Sequence, residues 1–299
     1  MGIVLGPNRY GKAEVRLVRV VRDDATHHRL ADLTVSIALS GDLAATHLAG
    51  DNAHVLPTDS MRALVFAFAR EQPGEEPEEF ALRLARHLTT AYEPVHTAQV
   101  RIHAHPWERI AAAEGPHPHA WTRAAGSRYA GAVRNADGAE QVVSGLDDVT
   151  VLKSTGSEFH GFLTDRYTTL EPTDDRVLAT SVSARWRHAA RPEESDLGAD
   201  WTGSYAAARA TLLRTFADTR SLSLQQTLYA MGKAVLDEQP RLAEVRLELP
   251  NKHHFLVDLA PYGHDNPGEV YYAADRPYGL IEGAVLRDDA IPAMPELPW

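Results

Sequence analysis

Residues 12–22 read KAEVRLVRVVR and residues 30–40 read LADLTVSIALS. Both alternate apolar and polar side chains at the two-residue period of a strand, with a polar turn between them. In the second, Leu33, Val35, Ile37 and Leu39 share one face. Residues 58–72 (TDSMRALVFAFAREQ) then switch to helical spacing behind a Thr-Asp-Ser start. Pro73 and Gly74 interrupt that pattern. Residues 76–92 (EPEEFALRLARHLTTAY) predict a second helix with acids in its first turn, where the helix dipole favours them. Alternation returns at 95–104 and around 118–134. The order is two strands, two helices, two strands.

The same order recurs. Residues 147–155 and 175–190 predict strands, 201–219 and 222–236 helices, and AEVRLELPN (243–251) and KHHFLVDL (252–259) strands, with 269–274 and 279–286 as later strand candidates. The halves share little residue identity, so the repeat is one of architecture. Residues 135–146 (NADGAEQVVSGL) mark the boundary, which gives two units, 1–140 and 141–299, of an α+β protein. A ββααββ unit covers one sheet face with helices and leaves a long edge open. Open edges are a liability, and such sheets close into barrels by association. An oligomer is therefore expected.

Composition narrows the function. The 299 residues carry a net charge of -11, which disfavours nucleic acid and anionic lipid as partners. The chain has no cysteine, which excludes disulfides, thiolate zinc sites and a cysteine nucleophile. Apolar runs such as 63–69 fall far short of the ~20 residues that span a bilayer. The opening MGIVLGPNRYGK lacks a basic stretch leading into an apolar core, and the chain ends PELPW, with no peroxisomal tripeptide. The expectation is a soluble, cytoplasmic protein.

Only four of the 30 basic residues are lysine: Lys12, Lys153, Lys233 and Lys252. Lysine is the base whose pKa shifts readily on burial, whereas arginine stays charged. The 15 histidines include the close pairs His103/His105, His117/His119 and His253/His254. Spacing of His-x-His on a strand makes a zinc half-site, but no HExxH pattern or acidic partner accompanies it, and packed or surface histidine is the better account. In LPNKHHFLVDL, one strand face would carry Asn251, His253, Phe255, Val257 and Leu259. That places Asn251 and His253 at the mouth of a buried face, where an imidazole either transfers protons or is simply hydrogen-bonded in the core.

Thr58 either caps the helix it begins or presents a hydroxyl at a helix N-terminus, a place that favours anions. Asp59 could cap the helix in the same way. Gln225 lies near a helix start, with Ser223 before it as a cap. Arg176 shares a strand face with Leu178, Thr180 and Val182, odd company for a solvated charge. A guanidinium and a carboxamide together suit a planar, amide-rich heterocycle, and Phe159 offers a stacking face, although a lone Phe usually belongs to a core. No GxGxxG or GxxxxGK[ST] pattern supports a nucleotide cofactor.

Taken together these segments resemble the urate oxidase (uricase) family. The resemblance runs through YGKAEVRL, LPTDSMRALV, PWERI, GPHPHAW, GLDDVTVLKSTGSEFHGFLTDRYTTL, DRVLATSV, SLSLQQTLYAMG, LPNKHHFLVDL and YGLIEGAV. It is most specific from Gly145 to Leu170 and in LPNKHHF. It implies the tunnelling fold (T-fold), two ββααββ units per chain in a homotetramer, with active sites shared between subunits. It implies cofactor-free oxidation of urate by O2 and water to 5-hydroxyisourate and hydrogen peroxide.

Carried over by position, Lys12, Thr58 and His253 match the family's catalytic relay. Thr58, Asp59, Phe159, Arg176, Leu224 (through its backbone N–H), Gln225 and Asn251 match its urate-binding set. No metal ligand is implied. His160 stands where Trp is common, and the peroxisomal tail is missing. Two other readings remain: a zinc-dependent purine- or pterin-processing enzyme of the same fold, and a non-catalytic purine-binding assembly protein.

Overall fold

The computed structural model describes residues 2–24, 26–71, 76–189, 200–274 and 276–299. The sequence expectations at Gln72, Pro73, Gly74 and Ala190 lie outside them. The chain divides into two compact units. The first comprises residues 1–145, 185–202 and 290–299, and the second 146–184 and 203–289.

In the first unit, β1 (Tyr10–Val21) and β2 (Arg29–Gly41) pair antiparallel, followed by a short helix α1 (Ala44–Ala49), then α2 (Thr58–Glu71) and α3 (Pro77–Ala91). Strand β3 (Val95–Ala104) pairs with β2. The hairpin of β4 (Trp107–Ala112) and β5 (Gly115–Arg123) forms a small separate sheet. Next, β6 (Ser127–Asn135) pairs with β3, and β7 (Glu140–Lys153) follows it in the strand order β1-β2-β3-β6-β7.

The chain continues with β8 (Leu178–His188), α4 (Trp201–Asp218), α5 (Leu224–Glu238), β9 (Leu242–Lys252), β10 (His254–Leu256), β11 (Tyr271–Ala273) and β12 (Gly279–Leu286). The order in the second unit is β7-β8-β9-β12, with β10 and β11 as a small separate pair. The division between units falls inside β7 and β8.

The core of the first unit follows from the two periodicities. Val35, Ile37 and Leu39 point from β2 into one layer, where Phe80, Leu84 and Leu88 of α3 and Met61 and Val65 of α2 meet them. Pro77 at the helix start, with Glu78 and Glu79 behind it, suits α3 to begin where it does. In the second unit α5 lies on β9 and β12. Gly232 makes that approach possible, because a Cβ there would come 2.6 Å from Val285 Cγ2.

Two sequence expectations need correction, and two elements were not expected. Within the expected boundary segment the turn ends at Ala139 and β7 begins at once. The strand expected across 118–134 is two strands, broken at 124–126. Strand β4 and helix α1 went unforeseen. The strand expected over 252–259 is only Lys252, the end of β9, and the three residues of β10, and Phe255 is exposed, so within the chain it does not line a buried face.

One buried polar network stands out in the first unit. Glu78 is fully buried and accepts from Arg128 at 2.7 Å and from the Ser144 hydroxyl at 2.7 Å. Ser144 Oγ in turn lies 2.9 Å from His188 Nε2, and the His188 ring meets Trp201 edge-on at 4.8 Å. Ser144 has one proton, given to Glu78, so the His188 Nε2–H donates to it. Burial, with the nearby Arg128 charge, pushes the His188 imidazole down to about 3.

The folded state therefore resists protonating a group that the unfolded chain protonates at its ordinary value near 6.5. The stabilisation from His188 is present above pH 6.5 and is lost as pH falls below it. Between pH 7 and pH 5 this costs about 2 kcal/mol. Chemical denaturation of wild type and His188→Gln at several pH values checks it, since the variant is expected to lose much less stability over that interval. Equal losses in both would remove His188 as the cause.

Candidate active site

Lys12 lies on β1 where the strand is held against β2 by a glycine. A Cβ on Gly11 would stand 1.9 Å from the Ile37 carbonyl oxygen, so no other residue fits. Directly after Lys12 the register slips: Lys12 pairs with Ile37, yet Val15 pairs with Val35. The extra residue forms a bulge, with Glu14 at φ 56 and its N–H donated to Ser36 Oγ at 2.9 Å. Bulges bend a strand and re-aim its side chains.

Lys12 Nζ reaches Asp59 Oδ1 at 3.3 Å, and Arg62 approaches the same oxygen at 3.5 Å. The Tyr10 hydroxyl accepts the Leu56 N–H at 2.8 Å and so ties the loop before Thr58 to β1. Thr58 is the first residue of α2, half-buried, and its hydroxyl has no hydrogen-bond partner among the described residues. It does not cap the helix.

The other candidates lie in the second unit, around a short strap of backbone. On one side of the strap Ser221 N–H donates to Gly156 O at 2.9 Å, and Glu158 N–H donates to Ser221 O at 2.8 Å. On the other, Phe159 and Thr173 exchange both backbone bonds, at 2.8 and 3.0 Å. Phe159 stacks on Phe162 at 5.0 Å, and the Arg176 guanidinium sits 5.1 Å from its ring centroid. Arg176 precedes β8 rather than belonging to it. It is half-buried, and burial lowers its pKa from the ordinary arginine value. Beside the strap, Glu158 binds Arg220 at 2.7 Å and faces His160 at 3.5 Å.

The Ser221 side leads into α5. Ser223 caps that helix by accepting the Gln226 N–H at 3.1 Å, and Gln226 Oε1 reaches back to the Leu222 N–H at 3.2 Å. The arrangement is close to a capping box, with the second bond made to the residue before the cap, and it commits the Gln226 carboxamide. Gln225 is exposed, with no side-chain partner among the described residues. Leu224 is buried, and its N–H lies in the first turn, where helices leave N–H groups unpaired.

Asn251 pairs with Gly279 near the end of β9, and His253 occupies the break before β10. His254 is bound through Nδ1 to the Lys252 carbonyl at 3.0 Å, whereas the His253 ring stacks on Phe255 at 5.8 Å and makes no hydrogen bond among the described residues.

The candidates thus fall into two groups: Lys12, Thr58 and Asp59 in the first unit, and Phe159, Arg176, Leu224, Gln225, Asn251 and His253 in the second. The other three lysines have structural partners: Lys153 with the Thr219 carbonyl, Lys233 with Asp237 and Lys252 with Thr150. Among the described residues no three His, Asp or Glu side chains are gathered as metal ligands. Sequence reasoning missed Tyr10 and Asp175. Asp175 accepts from Thr155 Oγ1 at 2.6 Å and from the Gly156 N–H at 2.8 Å. Its acid-before-arginine position was the one available signal.

A family model described as Uricase matches residues 8–134 and 142–282. The chain is 50% identical over 287 residues to the uricase of Arthrobacter globiformis, covering 96% of this chain and 91% of that one. It is 34% identical over 282 residues to the uricase of Dictyostelium discoideum, covering 94% and 96%. The crystal structure of the Arthrobacter globiformis uricase superposes with a TM-score of 0.90 at 48% identity, covering 99% of each chain.

The tight approach at Gly11 gives a direct test. Gly11→Ala is expected to cost at least about 2 kcal/mol of unfolding free energy, because β1 must part from β2 to seat the methyl. Thermal and chemical denaturation measure it, and an unchanged midpoint would show that β1 has room to spare.

Proposed function

The chain belongs to the uricase family and is an oxidoreductase that acts on urate; we propose that it does so without a cofactor, through Lys12, Thr58 and His253. Urate, O2 and water give 5-hydroxyisourate and hydrogen peroxide. The observation that carries the residue-level reading is the clamp in the second unit, where a half-buried guanidinium lies 5.1 Å from an aromatic centroid.

Urate is a planar anion rich in amide groups. Arg176 and Gln225 hold its edge by paired hydrogen bonds, with the Leu224 N–H as a further donor and Phe159 against its face. Asp59 completes the binding set beside Lys12. Loss of a ring proton makes the purine electron-rich enough to pass an electron to O2. Lys12 takes that proton, and Thr58 and His253 pass it on, since a hydroxyl and an imidazole both donate and accept. Asn251 and Thr58 hold O2, and afterwards water, on the face opposite Phe159.

Lys12 and Thr58 belong to one unit and the clamp to the other; in keeping with the family resemblance, each site takes the two groups from different copies of the chain. The tandem T-fold units, 1–140 and 141–299, pair their open edges with those of other copies and close into a barrel in a homotetramer. The enzyme works in the cytoplasm, with no nucleic-acid or membrane partner; among the described residues no helix is long and apolar enough to cross a membrane.

Loss of urate absorbance matched by oxygen uptake in the presence of EDTA is the expected behaviour. Activity abolished by EDTA would favour the zinc-dependent alternative, and urate binding without oxygen uptake the non-catalytic one. Lys12→Met is expected to lower turnover by ~10² to 10⁴ while urate still binds. Unchanged turnover would remove Lys12 from the relay.

A further inference from the structure

The ring and the guanidinium that clamp urate sit on different backbone segments, and a third group fixes one against the other. Asp175 precedes Arg176 in the chain. Its Oδ2 accepts the Thr155 hydroxyl at 2.6 Å, and its Oδ1 accepts the N–H groups of Gly156, at 2.8 Å, and Ser157, at 3.4 Å. Gly156 stands at φ +74, a conformation that glycine enters without strain, so the turn presents its N–H to the carboxylate. The Thr173 hydroxyl closes the circuit by donating to the Asp175 carbonyl at 2.7 Å, while Thr173 also holds the Phe159 backbone.

Arg176 itself has no comparable support. Among the described residues its Nε is buried without a hydrogen-bond partner. The direction of the guanidinium therefore comes from where its backbone is placed and from the Phe159 ring. The Thr155 hydroxyl and the two N–H groups hold the Asp175 carboxyl below the usual carboxylate range, so it stays ionised and a strong acceptor at neutral pH.

We propose that Asp175 is a positioning residue for urate recognition: it sets the spacing between the Phe159 ring and the Arg176 guanidinium so that a planar purine anion meets both at once. The proposal rests on the reading of this cluster as the urate clamp. Stacking and paired hydrogen bonding both fail with small displacements, so a slackened strap weakens binding. Proton transfer starts at Lys12 and Thr58, on other elements, and changes less.

The test is steady-state kinetics of Asp175→Ala, Asp175→Asn and Thr155→Val, with calorimetric binding of xanthine as a non-reacting planar purine and a thermal midpoint for each. Asp175→Ala is expected to raise KM about tenfold or more with kcat within about threefold, and to weaken xanthine binding in parallel. Asp175→Asn keeps an acceptor for the turn and can donate to Thr155, so it restores part of the loss. Thr155→Val removes one bond and falls between wild type and Asp175→Ala.

KM and xanthine affinity unmoved in all three variants would overturn the proposal. So would kcat falling with KM unchanged. If Asp175→Ala does not fold, the other two decide. A wild-type protein inert towards urate would overturn the parent reading and this proposal with it, whereas active wild type with an unmoved KM overturns this proposal alone.

Discussion

Four residues of backbone, Gly156 to Phe159, are hydrogen-bonded along both edges, and the grouping of Phe159, Arg176 and the start of α5 depends on that strap. They form no regular strand or helix, so their order comes entirely from neighbours. One edge bonds Ser221, which is buried and leads directly to the cap of α5, where Leu224 and Gln225 sit. The other bonds Thr173 and runs through Asp175 to Arg176 and into β8. A loop, a helix start and a strand start are thereby laced into one object. That suits a ligand which needs a stacking face and edge donors at fixed separation, with little reorganisation on binding.

The relay half is built differently. Lys12 is held by sheet geometry: a glycine lets β1 approach β2, and the bulge at Glu14 then turns the strand. The second unit repeats part of that device. Asp148 on β7 has φ 54, and its N–H lies 3.3 Å from Ser183 Oγ, as Glu14 has φ 56 and donates to Ser36. Counting from the bulge, Leu146 stands where the first unit has Lys12. The fold supplies the same turn of strand twice, but only the first copy carries an amine.

Much of this was legible in the sequence, for physical reasons. Long alternating strands such as β2 and amphipathic helices such as α3 bury one face, and burial imposes the period. Strand β12 was expected over 279–286, the residues it occupies. The failures lie where burial does not discipline the sequence. Strand β4 is mostly exposed, so WERIAA carries no alternation. In NADGAEQVVSGL the turn residues sit next to a strand buried on both faces, and such a strand shows no alternation, so its start was not legible.

In the site, residue types pointed to Arg176, Gln225 and His253, while the structure adds what singles them out. Gln226 and His254 are committed to backbone bonds, whereas the Gln225 and His253 side chains have no hydrogen-bond partner among the described residues. The strap was not legible, because backbone hydrogen bonds between irregular segments leave no periodic trace in side chains.

The central claim is that relay and clamp, though encoded in one chain, meet only between two copies of it. Mixing subunits carrying Lys12→Met with subunits carrying Arg176→Gln tests it most directly. If the site is shared, mixed assemblies contain some sites with an intact Lys12 from one copy and an intact Arg176 from the other. An equal, random mixture of two inactive variants then recovers about a quarter of wild-type activity, the share expected for such a two-copy site. Recovery at that level, dependent on subunit exchange, is the predicted result. No recovery from thoroughly exchanged subunits would place both halves within a single chain and contradict the account.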